Sequence, residues 1–214
     1  MFHDPLILYF ALVAIPISTL AGIAVRKLFY VGPPTFEEPD YYALGTSAPF
    51  AGSMVDNNAV GRTGELVTAI MMVQRGWRQL PSEKDVKGNT RGLDGLFVRQ
   101  LNKRVGGYEI CIAETKASST RATPSSAKYR PEDMADAMVK RKLEDLRDTR
   151  HDDGRAYLDE KVANQIISAI GTKYLSKRLF IHSFELSESS IYELSTTGDI
   201  GESPIEIISH GQHA

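Results

Sequence analysis

The stretches Gly92-Leu-Asp-Gly-Leu-Phe-Val-Arg-Gln100 and Tyr108-Glu-Ile-Cys-Ile-Ala-Glu-Thr-Lys116 decide how this chain folds. Apolar and β-branched residues dominate both, and the connection between them ends in Gly106-Gly107, so they read as two strands of a hairpin. Side chains two apart on a strand point to the same face. Glu114 and Lys116 therefore leave their strand together. In an antiparallel hairpin the start of the first strand lies beside the end of the second. Asp94 is thus expected next to Glu114 despite the twenty residues between them.

Working outward, residues 57–74 turn helical. Val60, Leu66, Val67, Ile70, Met71 and Val73 recur at near-helical spacing, and Gly76 is a plausible stop. A short strand is expected at 77–80. Beyond the hairpin, Pro131-Glu-Asp opens a second helix running through Met134, Met138, Leu143 and Leu146. A third, 156–174, carries Leu158, Val162, Ile166 and Ile170 four apart. Strands follow at 177–186, 191–194 and 205–209. The order helix, strands, helices, strands predicts an α/β or α+β domain.

The chain before this domain has a different character. Residues 6–25 form a run of twenty without a charge, which matches the roughly 30 Å apolar thickness of a bilayer. Arg26 and Lys27 follow at once, whereas no Lys or Arg precedes the run. That asymmetry argues against a cleaved signal peptide. It predicts a single membrane-spanning helix over 5–31, with the N-terminus outside and the rest in the cytoplasm. A buried core helix and a translocation segment of an exported toxin are the alternatives. Residues 32–53, rich in Pro, Gly, Ser and Thr, read as a linker, and 54–214 as the folded domain.

Composition is that of an ordinary globular protein with a net charge of −2. The 25 basic groups all lie within the first 178 residues, against 21 acidic ones there. A balance of +4 permits a basic face toward phosphate without requiring one. The single cysteine, Cys111, excludes an internal disulfide and a cysteine-based zinc site, and reads as a small core residue.

A third carboxylate enters from Gly61-Arg-Thr-Gly-Glu65 if the first helix packs across the strands. Glu65, Asp94 and Glu114 converging on one point repel each other unless a cation sits among them. Their hard oxygens suit Mg²⁺ or Mn²⁺ rather than zinc. Such an ion polarises a phosphate oxygen and makes hydroxide available near neutral pH. Lys116 beside it orients the water and offsets charge developing on phosphorus. The plain alternative is an exposed Glu114–Lys116 ion pair worth about 0–1 kcal/mol. Acid-x-Lys also occurs at Asp85-Val-Lys87 and Asp159-Glu-Lys161, but neither closes an apolar strand.

These residues together resemble the PD-(D/E)XK superfamily, the restriction-endonuclease-like fold. Its core is a helix bearing a glutamate, a strand hairpin bearing Asp and Glu-x-Lys, then a helix and a further strand. Glu65, Asp94, Glu114 and Lys116 fall on those positions in that order, over about residues 57–186. The resemblance implies a central mixed sheet flanked by helices and a catalytic set of those four residues. It assigns the metal to Asp94, Glu114 and Glu65. More narrowly, residues 92–97, 112–117 and 133–138 look like polymorphic bacterial toxin nucleases, which act on DNA. Asp133 stands where that group usually has glutamine, and Leu93 where the family has a nominal proline.

Arg62, Arg91, Ser118 and Arg121 are the candidate nucleic-acid contacts, since they flank the motif residues. Lys140-Arg-Lys142 reads first as a solvated helix face, and the five histidines as surface or packing residues. A membrane-anchored DNA nuclease in a defence or toxin context is the leading expectation. Its expected partners are nucleic acid, the membrane, a second copy of the chain and, for a toxin, an immunity protein. A catalytically silent scaffold of the same fold is the alternative from another class.

Overall fold

Ile110, Cys111, Ile112 and Ala113 are all fully buried, so consecutive residues of one strand face protein on both sides. That places their strand at the centre of a layered structure. The computed structural model describes residues 57–81, 83–86, 89–101, 107–151 and 154–210. The membrane helix expected at 5–31 and the linker at 32–53 lie outside the described residues, as do 54–56. Among the described residues, no helix is long and apolar enough to cross a membrane.

Helix α1 (Asn57–Gln74) leads into strand β1 (Arg78–Leu80). A small hairpin, β2 (Glu83–Val86) with β3 (Asn89–Gly92), precedes β4 (Gly95–Gln100) and β5 (Tyr108–Ser118). A 3₁₀ turn (Pro131–Met134), α2 (Asp136–Asp148) and α3 (Glu160–Ala169) then cross over to β6 (Leu175–Ser183). Strands β7 (Glu188–Glu193) and β8 (Glu206–Ser209) finish the fold. The main sheet has six strands in the order β1-β4-β5-β6-β7-β8. Strands β5 and β6 pair in parallel and the other neighbours antiparallel, so the sheet is mixed. A parallel pair needs a long crossover, and the two helices supply it.

Alternation along the strands divides the core in two. Leu96, Val98, Ile110, Ile112, Leu179 and Ile181 meet α2 and α3 through Val139, Leu143, Leu146, Val162 and Ile166. Phe97, Cys111, Ala113, Phe180 and Ile191 meet α1 through Ala69, Met71 and Met72. The expected α+β architecture, a mixed sheet with helices on both faces, is what the chain adopts.

Three expectations are corrected. The helix expected from Pro131 is interrupted: Ala135 is extended at φ −60, ψ 144, so a 3₁₀ turn precedes α2. The third helix is shorter than 156–174. Its N-terminus is fixed at Asp159, whose carboxylate accepts the Val162 N–H at 3.0 Å. It stops at Ile170, which is extended, followed by Gly171 at φ +76.

The third correction concerns the inward face of α1. Leu66, Ile70 and Val73 point outward, 37%, 47% and 46% exposed, while Gly64, Thr68, Met71 and Met72 face the sheet. The reason is close approach. A Cβ added at Gly64 would lie 2.6 Å from Ala117 Cβ and 3.3 Å from both His182 and Thr115. Gly64→Ala is therefore expected to overpack this crossing and destabilise the fold by about 1–3 kcal/mol. Ala117→Gly should recover part of that loss in the double variant, as read from urea unfolding.

Candidate active site

Asp94 occupies the bend between β3 and β4, with Gly92 before it at φ +134. A β-carbon at Gly95 would sit 2.5 Å from the Phe97 ring, so the glycine after Asp94 is required by packing. The register pairs Gly95 with Ala113, and one further step places Asp94 opposite Glu114. Its Oδ2 accepts the Thr115 N–H at 2.8 Å. One carboxylate oxygen is thereby fixed by the backbone of the Glu-Thr-Lys motif itself.

Glu114 shares the face of Ile110 and Ile112 and is 6% exposed. Lys116 donates from Nζ to Glu114 Oε1 at 2.6 Å, with 29% of its side chain accessible. Burial pushes the Glu114 carboxyl above the usual carboxylate range, and the charge of Asp94 adds to the push; Lys116 and Lys142 offset part of it. Asp94 is raised as well, chiefly by burial and then by Glu65, against the Thr115 hydrogen bond, Lys116 and Lys142. Burial alone would lower Lys116, but the charge and hydrogen bond of Glu114, with Asp94 and Asp133, outweigh it and hold the ammonium charged.

The four motif residues thus act on one another. Glu65 reaches Asp94, Asp94 reaches Glu114, and Lys116 bears on both. Glu65 is half-buried on α1, one position after the Gly64 crossing that draws the helix onto β5. Of the expected phosphate contacts, Arg62 and Arg121 are exposed, three positions before Glu65 and five after Lys116. Ser118 lies on the face of Glu114 and Lys116, with its hydroxyl engaged by the Thr120 N–H at 3.2 Å. The Arg91 side chain lies outside what is described.

Three further residues act on the site, of which the sequence marked Asp133 only as an acid in a glutamine's place and Lys142 only as part of a basic helix face. Lys142 of α2 acts on both acids. Asp133, on the 3₁₀ turn, acts on Lys116 and on Tyr129. Tyr129 donates to the Gly198 carbonyl at 2.6 Å, and its phenol is pushed well up by burial, then by Glu114, Asp133 and Asp199. All three lie in the crossover between β5 and β6, and no local pattern announces Tyr129.

Behind the motif runs a buried polar chain. Thr115 Oγ1 and Thr68 Oγ1 are 3.1 Å apart, and Thr68 Oγ1 is 2.8 Å from His182 Nε2. His182 Nδ1 reaches Ser189 Oγ at 2.6 Å, and Ser189 Oγ reaches His210 Nε2 at 2.6 Å. Burial, followed by the charge of His210, lowers His182 to about 4, against a small opposing effect of the Gly64 carbonyl. The unfolded chain then takes up a proton near pH 6.5 that the folded protein refuses until about pH 4. The stability this histidine contributes is whole above that window and is lost as pH falls through it, on the order of 3 kcal/mol. Asp94 and Glu114 have the opposite sign: being raised, they favour folding at low pH and lose that contribution as pH rises. The wild type is therefore expected to lose more stability between pH 6.5 and 4 than His182→Gln, as measured by urea unfolding at stepped pH.

Among the described residues, no three His, Cys, Asp or Glu side chains stand close enough to cage an ion unaided. Mg²⁺ does not require such a cage, since it keeps several waters and takes one or two carboxylates. Asp94 and Glu114 fit that donor set: both offer hard oxygens, and both are raised by burial and by a neighbouring acid, a cost that a cation relieves. No family model, curated protein or solved structure significantly matches this chain.

Proposed function

We propose that this chain is a Mg²⁺- or Mn²⁺-dependent nuclease of the PD-(D/E)XK type that hydrolyses phosphodiester bonds in DNA. One observation carries the reading. Asp94 is pinned to the Thr115 N–H at 2.8 Å beside Glu114, whose carboxylate holds Lys116 at 2.6 Å. The element order adds support: a helix, an antiparallel set of strands, a helical crossover and a parallel strand follow one another as in that family.

In this reading Asp94 and Glu114 hold the metal, and Glu65 supports it directly or through water. The bound ion supplies Lewis acidity toward a phosphate oxygen and a water acidic enough to attack near neutral pH. Lys116, kept protonated by its acidic neighbours, orients that water and balances the charge that grows on phosphorus. Thr115 fixes the Asp94 rotamer, so little reorganisation accompanies binding. Arg62 and Arg121 steer the backbone phosphates, with Ser118 and Arg91 as further contacts. Residues 5–31 anchor the protein in a bacterial membrane with the domain in the cytoplasm, and a defence nuclease or a toxin with its immunity partner would both use that arrangement.

A second reading, a catalytically silent protein of the same fold acting as a membrane-tethered binding or scaffold module, draws on the Lys116–Glu114 pairing as a purely structural ion pair. The full-length protein in detergent, incubated with plasmid, single-stranded DNA and RNA in Mg²⁺ or Mn²⁺, separates the two. Metal-dependent cutting of DNA is expected. Intact substrates throughout, with the fold verified by circular dichroism, would favour the scaffold.

A further inference from the structure

Away from Glu114, near the start of β5, Trp77, Arg99, Glu109, Lys173, Ser176 and Arg178 line a cavity of about 190 Å³. Glu109 alternates with Ile110, so it shares the α1 face of the sheet with Cys111, whereas Glu114 lies on the other face. Glu109 precedes Glu114 by five residues, a separation of roughly 17 Å along a strand. The two places do not belong to one site.

The cavity is built around cations. Guanidinium carbons of Arg99 and Arg178 stand 4.6 Å and 6.0 Å from the Trp77 ring centre, and Lys173 Nζ stands 5.2 Å from that of Tyr174. Stacking on an aromatic face orients such groups before any ligand arrives. Arg99 is neutralised by Glu109, with contacts of 2.6 and 3.1 Å to one carboxylate oxygen. Among the described residues, Arg178 and Lys173 make no ion-pair contact with a carboxylate, although Glu193 stands opposite Arg178 in the β6–β7 register, and Arg178 Nε is buried with no hydrogen-bond acceptor. Three cations against the single carboxylate of Glu109 leave the cavity lining positive, and an anion between Arg178 and Lys173 relieves their repulsion.

We propose that this cavity binds a phosphate-type oxyanion. Its volume lies below the 300–1,000 Å³ of pockets for drug-sized ligands, which fits a single phosphate group. Arg178 and Lys173 supply the charge and the donors, and Ser176, whose hydroxyl donates to the Ile110 carbonyl at 3.4 Å, lines the wall. The group is either the free ion or the terminal phosphate of a polynucleotide.

The test is a thermal-shift titration of the full-length protein with inorganic phosphate, at ionic strength held constant with sodium chloride. A saturable rise in Tm is expected, with at least tenfold weaker binding in Arg178→Gln. Lys173→Gln, at an exposed position where folding is not at stake, should weaken binding in the same direction. Competition by a short 5′-phosphorylated oligonucleotide, and not by its unphosphorylated twin, marks a polynucleotide end as the source; competition by neither marks the free ion. An equal response from chloride, or an unchanged affinity in both variants, overturns the proposal. Neither residue touches the Asp94–Glu114 site, so this result and the cleavage assay fail independently.

Discussion

Glu114→Gln is expected to abolish metal-dependent cleavage while raising the melting temperature. The carboxylate is 6% exposed, and burial with the charge of Asp94 makes its ionised form costly in the absence of a cation. Replacing it by an isosteric neutral amide removes that cost. Lys116 keeps Asp94 and Asp133 as neighbouring charges, and its partly accessible ammonium is not stranded in the core. In the proposed nuclease, activity would depend on the same charge that burdens the fold, so it should fall by about 10²–10³-fold or more, the scale of losing one preorganised electrostatic group. A structural ion pair predicts the reverse, lower stability. Paired measurements of Tm and plasmid cleavage on the two proteins therefore distinguish an active centre from a surface bridge. The gain in stability on losing a functional acid is the familiar trade between the two.

Lys177→Met should produce the largest loss of stability. This lysine is 5% exposed, and its Nζ donates to the Met134 carbonyl at 2.7 Å, Asp136 Oδ1 at 2.5 Å and the Thr196 carbonyl at 3.2 Å. It ties β6 to the 3₁₀ turn, the start of α2 and the loop after β7. Removing the ammonium leaves the Asp136 carboxylate and the Met134 carbonyl without this donor, while the Thr196 carbonyl keeps the Asp136 N–H at 2.9 Å. Breaking a buried pair in this way costs about 3–5 kcal/mol. Asp136 keeps 26% exposure, so the lower end is expected. The turn carries Asp133 toward Lys116. Cleavage should therefore weaken in Lys177→Met even at temperatures where the variant stays folded. Urea unfolding gives the first number, and an assay well below the midpoint gives the second.

How much of this was legible depended on whether the signal was local. The β4–β5 hairpin was readable because strand composition and turn glycines coincide, and its register delivers Asp94 to Glu114. The inner face of α1 was not. Apolar periodicity pointed to Leu66, Ile70 and Val73, yet the helix lies on its small residues because Gly64 allows contact with Ala117 and Thr68 finds a buried polar partner in His182. Hydrophobicity alone carries no information about such a partner, which lies 114 positions away. The hairpin of β2 and β3 was missed since Glu83-Lys-Asp-Val86 and Asn89-Thr-Arg-Gly92 are mostly polar and pair only with each other. Tyr129 and Lys142 reach the site through the crossover, a tertiary event that no motif spacing encodes, whereas Asp133 was marked by its motif position but not by its action on Lys116.

A divalent ion seated between Asp94 and Glu114 is the physical centre of the nuclease reading, and anomalous scattering from Mn²⁺-soaked crystals detects it directly. One manganese peak bonded to both carboxylates, absent from Asp94→Asn, is the predicted result. Well-defined Asp94 and Glu114 side chains with no peak between them, or with manganese only elsewhere on the protein, would contradict it.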